Sequence, residues 1–261
     1  MGYRLWLGGA TPALITDPIA QCLVLIVVTS AVFLLFPGID LWFSGLFYDP
    51  TFGFPMSQLA AFTGLRAIGR LSTVLIPVVV VLAVLVKVAL PWRPSLISPR
   101  AALYILSTLA VGPGILVDLV FKNHWGRPRP FMVDAFHGND PFVGVWQITH
   151  YCVSYCSFVS GEGSTAIWLL TLIVLVPVQR RSLAVKVLVG LAIALSLNRI
   201  AFGGHFLSDV LLAWWMTLAV MAVAYRIIYV NPPAMLREGN LDAMLGRSGL
   251  AIRQAFSRTP G

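Results

Sequence analysis

Apolar residues in this chain gather into long blocks instead of recurring at every third or fourth position. Six blocks, roughly 19–36, 73–90, 101–120, 163–179, 183–203 and 206–230, reach or approach the ~20 residues that a helix needs to cross a bilayer core. Polar residues are confined to the connections and tails, so nearly the whole chain is used in spans. The pattern predicts an all-α fold, an integral membrane bundle of six transmembrane helices with 1–261 as a single domain. Segment 37–72, with Asp40-Leu41-Trp42 and Phe47-Tyr48-Asp49-Pro50, is too polar to span and carries aromatic residues suited to headgroup depth. It is expected to lie along the outer surface. After Asn231-Pro232-Pro233 ends the last helix, the tail 231–261 alternates Leu245, Leu250, Ile252 and Phe256 with arginines, the make-up of a short interfacial helix against anionic lipid.

Composition agrees with the bilayer as solvent. The chain is 58% hydrophobic and 11% charged, with a mean hydropathy of +0.86, which excludes a water-soluble domain of this size. A net charge of +8 would suggest nucleic acid in a soluble protein. Here the basic residues sit in loops and tails, where they set orientation, and no nucleic-acid partner is expected. Arg4, Arg93, Arg100, Arg180, Arg181, Lys186 and the tail arginines, Arg258 among them, fall on one side; Arg66, Arg70, Lys122, Arg127, Arg129 and Arg199 fall on the other. With an even number of spans, both termini are assigned to the cytoplasm and the second side to the periplasmic face of a bacterial inner membrane. The first apolar run is longer than a leader's and lacks a small-residue cleavage site, so it reads as a retained helix, and Met1-Gly2 lacks the hydroxyl residue needed for myristoylation.

Three polar patches lie at helix ends on the outer side: Lys122 to Pro130, Ser160-Gly161-Glu162, and Arg199 to Asp209. Fixed cations at Lys122, Arg129 and Arg199 are costly at a membrane surface without an anion, and phosphate suits forked guanidinium donors. Ser160-Gly161 precedes a helix whose first N–H groups and dipole can cradle phosphate oxygens. His205 and Asp209 stand one helical turn apart, so the carboxylate can accept from one ring nitrogen and leave the other as an aimed nucleophile. Each feature has a plainer reading: an interfacial histidine, snorkelling arginines, Asp118 pairing with Lys122, a serine cap. Together on one face they favour catalysis. A lipid transporter, the non-enzymatic rival, would gather its polar groups near the midplane.

The order Lys122-(six residues)-Arg129-Pro130, then Ser160-Gly161, then Arg199-(five residues)-His205 resembles the three-part signature of the type 2 phosphatidic acid phosphatase superfamily, membrane lipid phosphatases related to vanadium haloperoxidases. The motif region spans 122–209. The resemblance implies that Lys122, Arg129 and Arg199 bind a phosphoryl group with help from Ser160 and Gly161, that His205 attacks phosphorus to form a phosphohistidine, and that Asp209 orients His205. No metal or other cofactor is expected, since the anion site is built from cations and no carboxylate cluster or His/Cys spacing suits a divalent ion. Glu162 departs from the family pattern, which usually has a histidine there to protonate the leaving group. By position Glu162 is assigned as acid or base, although neighbouring cations oppose its protonation, and His124, His137 or His150 are alternative proton donors.

The segment from Pro37 to Asp49 looks like that of bacterial lipid A phosphatases, which favours a phosphomonoester of lipid A as substrate over another membrane phospholipid. Undecaprenyl-pyrophosphate or phosphatidylglycerophosphate hydrolysis and phosphate transfer to a second lipid are the alternatives, and the oligomeric state is unknown. Cys152 and Cys156 lie on the outer side, where free thiols are expected over a disulfide because four-residue spacing favours neither a bridge nor a metal site.

Overall fold

The computed structural model describes residues 16–257; Arg4, Arg258, Met1-Gly2 and the side chain of Phe256 lie outside the described residues. Helix α1 (Pro18–Leu35) opens on Asp17, whose carboxylate accepts from the Ile19 N–H at 2.9 Å, with Pro18 where a missing N–H costs nothing. A short helix α2 (Gly38–Gly45) follows, and then α3 (Ala60–Ala89), α4 (Pro99–His124), α5 (Gly161–Leu175), α6 (Val178–Ala201), α7 (Leu207–Val230) and α8 (Glu238–Ser257). Five of them, α1, α3, α4, α6 and α7, are long and apolar enough to cross a membrane. No strand forms among the described residues, apart from isolated bridges at Asp49–Gly53 and Val133–Asp140. This is a multi-pass membrane protein.

The sixth expected span, α5, is short: eight α-helical residues followed by seven in 3₁₀ turns, ending before Pro177. Tighter winding rises about 2 Å per residue against 1.5 Å, so α5 reaches further than its residue count suggests. It is wedged among α4, α6 and α7, while α1 packs along α7. Several polar groups inside this bundle find partners within it, as hydrocarbon surroundings favour. Trp168 donates from its indole to the Ile105 carbonyl and Thr108 hydroxyl, both at 3.2 Å, and the Ser164 and Thr217 hydroxyls meet at 2.6 Å. In α4 the winding widens to π-helical over Ala110–Phe121, around Pro113, which has no N–H to donate.

Three expectations are corrected. The helix that carries the second expected span starts at Ala60 and not near 73, so only the part of 37–72 before it lies outside that helix. Arg66, in the first turns of this helix, pairs with the half-buried Glu162 carboxylate. Cys152 and Cys156 form a disulfide, because the loop between them curls back until their Cα atoms are 5.6 Å apart. The tail helix α8 is more than an interfacial element. Asp242 meets Lys87 at 3.0 Å and Ser95 at 2.6 Å, and Glu238 accepts from Ser98 at 2.8 Å, which fastens α8 to the ends of α3 and α4 while Leu250 and Ile252 stay exposed.

Candidate active site

The ends of α4, α6 and the starts of α5, α7 meet at one end of the bundle and bring the three sequence patches together. Arg199, in the last turn of α6, and His205, in the tight connection to α7, are both buried. Gly204 allows this: a Cβ there would collide with the Arg199 guanidinium. Gly161 is equally constrained, since a Cβ would strike the Lys122 ammonium. Lys122 pairs with Asp118 at 2.6 Å, as helical spacing suggested. Arg129 donates from Nε to the Tyr155 carbonyl at 2.6 Å, and with Arg66, Arg199 and Gly204 it lines a cleft of about 350 Å³.

His205 donates from Nδ1 to the Ser157 carbonyl at 2.8 Å. A neutral ring so bound carries its lone pair on Nε2. Burial first, and then the fields of Arg199, Arg129 and Lys122, hold the His205 pKa well below the ordinary histidine value. The ring is therefore neutral at pH 7, with a free lone pair and three cations around it. Among the described residues no group of three or more His, Cys, Asp or Glu is placed to hold a metal ion.

The family description "PAP2 superfamily" matches residues 101–233, which include every motif just described. The chain belongs to the PAP2 superfamily. It is 39% identical to the lipid A 4′-phosphatase of Rhizobium leguminosarum over 74% of this chain and 88% of that one, and 38% identical to that of Rhizobium etli over 74% and 80%. A third lipid A 4′-phosphatase, from Francisella tularensis subsp. novicida, is 32% identical over 76% of this chain and 89% of its own. No solved structure matches significantly.

Within this PAP2 site one geometric expectation changes. Asp209 does not hold His205 directly: its carboxylate is 3.9 Å from Nδ1, and the Ser157 carbonyl takes that hydrogen bond instead. Asp209 accepts from the Ser157 hydroxyl at 2.5 Å, the Phe206 N–H at 2.9 Å and Arg127 at 2.6 Å, so it acts on the histidine through Ser157. Ser160 is a helix cap, its hydroxyl accepting from the Gly163 N–H at 3.0 Å while its own N–H donates to the Asp209 carbonyl at 3.1 Å. Glu162 accepts from Arg66 at 2.9 and 3.1 Å. It also stands 3.1 Å from Arg199 Nε, within ion-pair distance but not aligned as a hydrogen bond.

Sequence reasoning missed Arg127, Asp40, Ser157, Ser208 and Arg66. Arg127 is fully buried; it donates to Asp40 at 2.9 Å, Asp209 at 2.6 Å, Ser208 at 2.9 Å and the Val143 carbonyl at 2.8 Å. Burial alone would lower its pKa, but the fields of Asp209 and Asp40 outweigh that and leave it raised. The one available signal was the doubled arginine of Gly126-Arg127-Pro128-Arg129-Pro130. There the first guanidinium turns inward and the second toward the cleft.

Proposed function

We propose that this protein removes the 4′-phosphate of lipid A at the periplasmic face of a bacterial inner membrane, with both termini in the cytoplasm and 1–261 acting as one domain. The observation that carries the reading is a buried, neutral His205 amid three cations, in a chain that aligns with lipid A 4′-phosphatases over 80 to 89% of their own lengths. Lys122, Arg129 and Arg199 offset charge on the equatorial phosphoryl oxygens, with the Gly161 end of α5 beneath them. His205 Nε2 attacks phosphorus in line, and the sugar alkoxide leaves. Water then attacks the phosphohistidine and releases phosphate, dividing a difficult hydrolysis into two easier displacements. Asp209 and Arg127 keep the Ser157 carbonyl, and hence the ring, in place.

The test is mass spectrometry of lipid A after incubation with purified protein, with His205→Ala alongside. Loss of one phosphate group, at the 4′ position, with wild type only is expected. Equal loss with the variant would remove His205 from the mechanism, and cleavage of another phospholipid in place of lipid A would overturn the substrate.

A further inference from the structure

Expelling a sugar alkoxide needs a proton donor, and general acid catalysis of such a step is worth roughly 10²–10⁴-fold. The residue at the family's usual donor position, Glu162, is engaged by Arg66 and Arg199. We propose that Tyr48, backed by His137, protonates the leaving oxygen; the proposal rests on the phosphatase reading above.

Two of the residues lining the cleft that holds Arg66, Arg129 and Arg199 carry neutral hydroxyl groups, Tyr48 and Ser57. Guanidiniums hold their protons too tightly to act as acids. Ser57 already donates to the Phe54 carbonyl at 2.8 Å, and an alcohol is a far weaker acid than a phenol. Tyr48 is the remaining donor. Its ring is seated against Phe54 and Phe136, with centroids 5.3 and 5.0 Å away, and its hydroxyl is hydrogen-bonded to His137 Nδ1.

Of the three histidines that could serve as proton source, His124 turns its Nδ1 to the Val120 carbonyl of its own helix at 2.7 Å, and His150 lies exposed on the loop. His137 is the one joined to a cleft residue. Its backbone is left-handed, with φ of 60°, a conformation that a residue with a side chain adopts at a cost and that concentrates at functional positions. The His137 N–H donates to the Asp134 carbonyl at 3.0 Å, which fixes the turn that delivers the ring. Because His137 is exposed, water can recharge it.

In the first step the His205 Nε2–phosphorus bond forms and the phosphorus–sugar oxygen bond breaks. The Tyr48 proton passes to the departing oxygen while His137 relays a proton from solvent water to Tyr48 through Nδ1, so the sugar leaves as an alcohol. In the second step a water oxygen bonds to phosphorus and the Nε2–phosphorus bond breaks. The water proton returns through Tyr48 and His137 to solvent, and phosphate leaves.

The experiment measures kcat and KM on lipid A for wild type, Tyr48→Phe, His137→Gln and the double variant, with orthovanadate inhibition reporting an intact anion site. Tyr48→Phe is expected to lower kcat on the order of 10²-fold with KM and vanadate inhibition little changed. His137→Gln should lower kcat in the same way, and the double variant should be no slower than Tyr48→Phe, as for two groups acting in one relay. On an aryl phosphate, whose leaving group needs no proton, the Tyr48→Phe loss should shrink. Multiplicative losses in the double variant, a change confined to KM, or full kcat in Tyr48→Phe would each overturn the assignment. A wild type inert toward lipid A would instead defeat the phosphatase reading itself.

Discussion

Asp40 Oδ2 and Arg127 Nη2 lie 2.9 Å apart with both side chains sealed from solvent. The pair joins α2 to the loop behind His205. Ser208 closes the group, donating to Asp40 at 2.9 Å from its N–H and 2.5 Å from its hydroxyl. Breaking one side of a buried pair leaves the other charge stranded, at about 3–5 kcal/mol. Arg127→Met should therefore lower thermal stability by about that amount and depress kcat. Arg127→Met combined with Asp40→Leu should recover part of the stability but not the activity, as read by melting curves and turnover of the same preparations.

His205 should remain neutral when free histidine would be protonated. Its pKa lies well below the ordinary value of 6.5, so as pH falls through 6.5 the unfolded chain takes up a proton that the folded site refuses. This group's contribution to stability is complete above pH 6.5 and is lost as pH falls below it, toward the folded pKa. Nitrogen-15 NMR of histidine-labelled protein at pH 6 should show one Nδ1-protonated neutral ring missing from His205→Ala; an imidazolium signal for that ring would contradict the site's electrostatics.

Glu162→Gln separates two roles for the carboxylate. As an ion-pair partner of Arg66 and Arg199, Glu162 competes with an incoming phosphate for the same guanidiniums. Its amide should bind orthovanadate several-fold more tightly while keeping most of kcat. A fall in kcat on the order of 10²-fold would restore Glu162 as the acid.

The Cys152–Cys156 disulfide closes a loop whose neighbours do the positioning: Tyr155 accepts from Arg129, and Ser157 holds both His205 and Asp209. Cys152→Ser with Cys156→Ser should cost about 2 kcal/mol of stability for a loop this short. The same variant should lower kcat, and treatment with a phosphine reductant should reproduce both effects in wild type but not in the variant.

What could be read from the chain divides along physical lines. Long apolar runs announce helices without any tertiary information, and Lys122, Arg129, Arg199 and His205 are recognisable by residue type and spacing. Asp40 is a lone acid in an apolar stretch, and nothing local says that its partner lies at Arg127. The contact of Asp209 with Ser157 rather than His205 depends on how a loop far away in sequence folds back. Arg66 misled in the opposite direction, since a cation paired with a half-buried carboxylate looks, in one dimension, like a surface residue that ends a span.

Glu162 meets Arg66 six residues inside α3, which at 1.5 Å per residue sets the ion pair about 9 Å along the helix from its N-terminal end. On the orientation proposed above, a phosphate must descend from that end of the helix to reach it. Bilayer thickness thus becomes a variable of the reaction: a thicker leaflet lengthens the descent and a thinner one shortens it, so the same protein should turn over at different rates in lipids that differ in nothing but chain length.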